Sequence, residues 1–213
     1  MNKSVYSLVL MDDIIKAVDR EAYRLGTSRS NLINQILAQH LACETPEMRM
    51  RSTFDYLSEL IGESFRIQQQ RSASLMTMRT SLDYKYHPTI SYKVELQRAP
   101  DQYIGTLRVQ IRTQSQLLLN LFKEFFMFRI RFEAEELAKI CPREYVFSLT
   151  DECFTRKLYN SGLTPDKTGE AISRYIRNLD SSLQSFLASP SESEPQLLRL
   201  GSEYLQLIND TII

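Results

Sequence analysis

VYSLVLMDDIIKAVDREAYRLGTSRSNLINQIL, residues 5–37, decides how the front of this chain folds. In the opening VYSLVL, Tyr6, Leu8 and Leu10 fall on one face of a strand and Val5, Ser7 and Val9 on the other, because successive strand residues point to opposite sides. Both faces are largely apolar. Behind them Ile14, Ile15, Val18, Ala22 and Leu25 recur at the three-and-four spacing of a helix face, and Asp12 and Asp13 stand where the helix dipole favours negative charge. Gly26 ends that helix. Thr27, Ser28, Arg29 and Ser30 then offer hydroxyls for N-capping, and Leu32, Ile33, Ile36, Leu37 and Leu41 form a second apolar face. A single strand cannot satisfy its own backbone or remain stable alone, so residues 5–10 need a partner strand.

The whole chain of 213 residues balances 26 Lys and Arg against 26 Asp and Glu. No global basic field attracts nucleic acid or an anionic membrane, so any polyanion contact must be local. VYSLVL is too short for the apolar core of an export signal and is followed by two aspartates. Cys43, Cys141 and Cys153 are odd in number and far apart, which fits unpaired thiols in a reducing cytoplasm. The most apolar run, residues 117–132, contains Lys123, Glu124, Arg129 and Arg131, too many charges for a membrane span.

Further along, Pro46 opens a helical stretch with Phe54, Leu57, Leu60, Ile61 and Phe65 on one face, fading in polar residues 68–74. The period then changes to two. Leu82, Tyr84 and Tyr86, then Ile90, Tyr92, Val94 and Leu96, then Leu107, Val109 and Ile111 alternate with polar residues; His87-Pro88 and residues 98–101 supply turns. This predicts a three-strand antiparallel meander with one apolar face. Its other face sets Lys85, Lys93, Arg108 and Arg112 against Asp83 and Glu95, usually the mark of a solvated strand face and less often of a second phosphate-binding surface. A helix is expected over residues 114–139, ended by Cys141-Pro142. Its Phe122, Phe125, Phe126, Phe128 and Phe132 read as packing or oligomer contacts, with Phe126 or Phe128 facing another helix or subunit. Thr164-Pro165 caps another helix with Ile172, Tyr175, Ile176, Leu179, Leu183 and Leu187 on its face, and SPSESEP, residues 189–195, links it to a last one.

Three parts are therefore expected: residues 1–44, a helical connector over 45–76, and an oligomerisation or effector domain over 77–213. The fold class is mainly α with a small β component, the C-terminal domain being α+β with the three-strand meander and several helices. Catalytic patterns are lacking: the sequence has no glycine-rich phosphate loop, no GxSxG, HExxH or CxxC, and two histidines in all. His40 and Cys43 lie three apart on one helix, but two ligands do not close a tetrahedral metal site. The expectation is a non-enzyme with neither metal nor cofactor.

Strand, helix, glycine turn and helix, with GTSRSNLINQIL at the second helix, resemble the ribbon-helix-helix DNA-binding proteins of the Arc, MetJ and CopG type. Leu8, Leu10, Ile14, Ile15, Val18, Leu25, Gly26, Ser28, Ser30, Ile33 and Leu37 stand at that family's strand core, helix core, turn glycine and second-helix start, over residues 3–42. The resemblance implies an intertwined homodimer whose paired strands enter the major groove of double-stranded DNA. It places Val5, Ser7 and Val9 toward base edges and Ser28, Arg29 and Ser30 at a phosphate clamp, with Lys3 at the ribbon's edge. Ser7 can exchange hydrogen bonds there, while Val5 and Val9 offer only apolar contact, a departure from the polar and basic side chains usual in the family. The function implied is sequence-specific DNA binding, as in a cytoplasmic transcriptional regulator that is a homodimer or higher oligomer. The alternative is an interaction protein, antitoxin or plasmid-maintenance factor that uses the ribbon mainly to dimerise, with a protein partner covering Val5 and Val9.

Overall fold

A computed structural model describes residues 5–68, 72–137, 139, 146–188, 198, 199, 201, 202 and 205. Lys3, Cys141-Pro142, the 189–195 linker and most of the expected last helix lie outside them. The chain divides into two compact units, Met1–Arg49 and Met50–Ile213.

The first unit holds α1 (Asp12–Arg24) and α2 (Arg29–His40). Gly26 joins them at φ +62°, a backbone conformation open to glycine at little cost. The Gly26 and Thr27 N–H groups close the end of α1 by donating to Tyr23 and Ala22 carbonyls at 3.2 and 3.0 Å. Residues 5–11 join no ladder among the described residues, so the expected strand over 5–10 is not formed here. The physical reason is the one that made a partner necessary: every strand of the observed sheet belongs to the second unit.

α3 (Pro46–Leu60) starts on a Thr45 cap, the Oγ1 accepting from Met48 N at 3.1 Å. The second unit then builds β1 (Arg66–Gln68), β2 (Leu75–Ser81), β3 (Thr89–Leu96), β4 (Tyr103–Arg112), α4 (Gln116–Phe132), a π-helical turn (Glu133–Leu137), β5 (Phe147–Leu149), β6 (Cys153–Tyr159) and α5 (Pro165–Ala188). The strands form one antiparallel sheet in the order β1-β2-β3-β4-β6-β5. One face is apolar: Met78, Ile90, Tyr92, Val94, Leu107, Val109, Phe154 and Leu158 are fully enclosed. Against it lie Phe54, Leu57 and Ile61 of α3 and its end, Phe122, Phe125 and Phe126 of α4, and Ile172, Ile176, Leu179 and Leu183 of α5. Gly169 sets the approach of α5 to α3, since a Cβ there would stand 2.6 Å from Thr53 O.

The fold is thus α+β around a six-stranded sheet, which corrects the expectation of a mainly α chain with a small three-strand component. Three causes account for the missed strands. β1 and β5 are three residues long, too short for a period to register. In β6 the inward positions are Phe154, Arg156 and Leu158, and the buried arginine interrupts the apolar alternation. β2 turns Met76, Met78 and Thr80 inward, only one of them β-branched and none aromatic. Tyr84 and Tyr86, expected in the first meander strand, lie in the turn after β2; Tyr86 and His87 adopt φ of +67° and +44°. Phe126 is wholly enclosed within the chain, stacked on Phe154 at 4.4 Å, so no second subunit is needed to bury it.

Candidate nucleic-acid interface

The interface implied by residues 3–42 is built from the start of α2 and the segment before α1. Ser28 is the N-cap of α2: its Oγ accepts from Asn31 N at 3.2 Å, and Asn31 Nδ2 donates to Thr27 Oγ1 at 2.8 Å. Ser30, in the first turn, is exposed. Arg29 is exposed too, but its guanidinium turns to α1, where Nη2 donates to Asp19 Oδ2 at 2.6 Å and Nε pairs with the other carboxylate oxygen. An anion at this helix start meets N–H groups and a favourable dipole, and must compete with Asp19 for the arginine. Sequence spacing had not revealed Asp19, because it lies ten residues from Arg29 on another helix.

Val5, Ser7 and Val9 are all exposed, the two valines completely. They therefore meet no core of their own chain. Around them the first unit balances its charges, Lys3, Lys16, Arg20, Arg24, Arg29 and Arg49 against Asp12, Asp13, Asp19, Glu21, Glu44 and Glu47. Arg24 is engaged by Glu21, to which its Nε donates at 2.8 Å; that hydrogen bond holds the Glu21 carboxyl below its ordinary range and the arginine above its own. The apolar surface is large: Leu8, Ile14, Ile15, Leu25, Ile36, Leu37 and Leu41 stay exposed, and the helices bury only Ala22, Leu32 and Ala38.

Sequence reading also missed a buried ionic cluster in the second unit. Glu133, where α4 passes into the π-helical turn, accepts from Arg129 Nε at 2.5 Å and Tyr175 Oη at 2.8 Å, and pairs with Arg156 Nε at 3.2 Å. Arg129 Nη1 also donates to Asn178 Oδ1 at 3.0 Å, and the Arg156 guanidinium lies 4.2 Å from the Tyr175 ring centre. With Glu133, Arg129 and Arg156 at 0 to 3 % exposure, the cluster offers no surface to a substrate and instead ties α4, β6 and α5 together. A lone charge in a helix or strand pattern gives no hint of such a meeting. Nearby, Tyr92 Oη donates to Asp180 at 2.9 Å, and burial lifts that carboxyl above its ordinary range against the pull of Tyr92 and Gln184. Burial and the Asp180 charge also push the Tyr92 phenol well up, so it remains a donor.

Comparison with known proteins returns no family model, no curated relative and no solved structure that matches this chain. Among the described residues, no group of three or more His, Cys, Asp or Glu side chains is placed to hold a metal ion. None of the described helices is long and apolar enough to cross a membrane.

Proposed function

We propose that residues 1–44 are a ribbon-helix-helix unit that pairs with a second copy of the chain and binds double-stranded DNA at preferred sequences, as a cytoplasmic transcriptional regulator without catalytic activity. The carrying observation is the uncovered apolar surface of α1, α2 and the segment before them, which one chain leaves in water and a second copy of the same unit would cover. The Ser28 cap at the start of α2 supports the phosphate clamp, because it fixes the N–H groups that would meet an anion. Ser7 is the base-reading side chain; Val5 and Val9 contribute apolar contact to thymine methyls. Lys3, Arg29 and Ser30 complete the set with backbone contacts.

The second reading is a dimerising interaction protein, and it draws support from the full exposure of Val5 and Val9 and the engagement of Arg29 by Asp19. The two readings separate in a salt titration of duplex binding with the full chain and a pool of fragments from the native genome. In the DNA reading, Arg29→Ala weakens binding to all sequences alike and lowers the log–log salt slope by about 0.9 per lost phosphate contact. Ser7→Ala instead costs about 1 to 3 kcal/mol per base contact, on the preferred site only. Equal curves for wild type and both variants would leave the interaction reading in possession.

A further inference from the structure

The helices of the second unit cover one face of the sheet; the other carries a charge pattern that the balanced composition conceals. Its outward positions include Arg66 on β1, Arg79 on β2, Lys93 on β3, Arg108 and Arg112 on β4, and Lys157 on β6. Glu95 is the only acidic residue in the six strands. Four of these cations are exposed, and Lys93 and Lys157 are half-buried between neighbours. None of the six forms an ion pair with a described residue, in contrast to Arg24 and Arg29 of the first unit.

Their placement on the ladder sharpens the point. Arg66 stands directly across from Arg79, and Lys93 directly across from Arg108. Like charges at facing positions of adjacent strands destabilise a sheet, and no described residue forms an ion pair with either facing pair. A ligand with closely spaced negative charges would offset them. At about 4.8 Å between strands, β1 to β6 spans about 19 Å, enough to reach phosphates on both sides of a DNA groove about 6 to 12 Å wide. Between the cations lie Ser91, Thr106 and Gln110, side chains that hydrogen-bond phosphate and sugar oxygens. The outward positions of β3, and of β4 from Thr106 to Arg112, carry no aromatic ring; the paired rings of Tyr103 and Tyr159 lie at one end of the face. Binding of single strands draws on such rings for base stacking, so the face suits a duplex backbone.

We propose that the open face of the six-stranded sheet binds the phosphate backbone of duplex DNA without regard to sequence, as a second site separate from residues 1–44. It rests on the reading above only in the choice of DNA as the polyanion. The face holds the duplex electrostatically, and sequence discrimination is left to the other unit.

The test is a salt titration of the full chain on a labelled random-sequence duplex. Replacing Arg79, Lys93 and Arg108 together by Gln lowers the log–log slope by about 2.7 per chain, at about 0.9 per phosphate contact. Arg79→Lys with Arg108→Lys keeps the wild-type slope. Arg112→Gln with Lys157→Gln, which leaves the centre of the sheet intact, lowers it by about 1.8 and serves if the triple variant melts early. An unchanged slope in both Gln sets overturns the proposal, as do no duplex binding by the wild type, tighter binding to single strands, or equal displacement by heparin at matched charge. Slope lost in the sheet variants but not in Arg29→Ala, with Ser7→Ala also silent on the preferred site, removes the ribbon reading and keeps this one; the reverse removes this one alone.

Discussion

Leu57, Tyr92 and Phe126 of the second unit are wholly enclosed, whereas Leu8, Ile36 and Leu37 of the first are each about half exposed. The second unit has enough chain to fold three helices onto one sheet face and to bury even an arginine–glutamate cluster. The first has two short helices and a segment with no ladder partner. About forty residues cannot remove enough apolar surface from water alone. The contrast teaches that apolar patterning in a sequence marks what must be covered, and does not say whether the cover comes from the same chain.

The strongest way to break this contrast is to attack the second unit where it is most self-contained. Glu133→Ala leaves two buried guanidiniums without their shared carboxylate and is expected to destabilise that unit by about 3 to 5 kcal/mol, read from urea unfolding. Replacing Arg129, Glu133 and Arg156 together by apolar residues of similar volume should be far milder than the single loss. A Glu133→Ala midpoint within error of wild type would mean that the cluster is not closed to water, and the contrast would weaken.

The first unit is tested by concentration. Ile36→Asp places a charge on the uncovered face and is expected to raise the dimer dissociation constant at least tenfold, about 1.4 kcal/mol, in sedimentation equilibrium. The unfolding midpoint of the second unit should not move. A wild-type chain that stays monomeric at all concentrations would remove the reason given for the exposed face.

How much of this could be read in advance follows from the same contrast. The bounds of α1 and α2, the Gly26 turn and the Ser28 cap were legible because each depends on neighbours in sequence. β3 and β4 were legible because alternation at Ile90–Leu96 and Leu107–Ile111 matches burial residue for residue. β6 was not, since the inward Arg156 is tolerable only through Glu133 and Tyr175, 23 and 19 residues away. The Arg29–Asp19 pair and the facing cations Arg66 and Arg79 were equally hidden, because which charges meet is decided by helix packing and strand register.

A smaller effect probes the seam between α5 and the sheet. Burial holds the Asp180 carboxyl above its ordinary value of 3.8, so the folded state binds its proton more tightly than the unfolded chain. The stability this contributes is full below the unfolded value and is lost as pH rises through the folded one. Asp180→Asn keeps an acceptor for Tyr92 and removes the charge. The variant is expected to gain on wild type as pH rises from the acid side to neutrality, in thermal melts across that window. A gap between the two that is flat with pH would mean that Asp180 is as well solvated folded as unfolded.

The smallest effect belongs to the first unit and has the opposite sign to most substitutions at a binding site. Asp19 holds the Arg29 guanidinium, yet both side chains are partly exposed, and such pairs are worth about 0 to 1 kcal/mol after solvent screening. Releasing the arginine by Asp19→Asn should therefore tighten duplex binding by about fivefold at most, with the gain shrinking as salt screens the pair. The double variant Asp19→Asn with Arg29→Ala identifies the cause. If Asp19 acts by occupying Arg29, the double variant binds no better than Arg29→Ala apart from the loss of one general negative charge. If it tightens binding by the full amount without the arginine, Asp19 acts as a repulsive charge on the phosphates, and the start of α2 is a clamp made of backbone N–H groups alone.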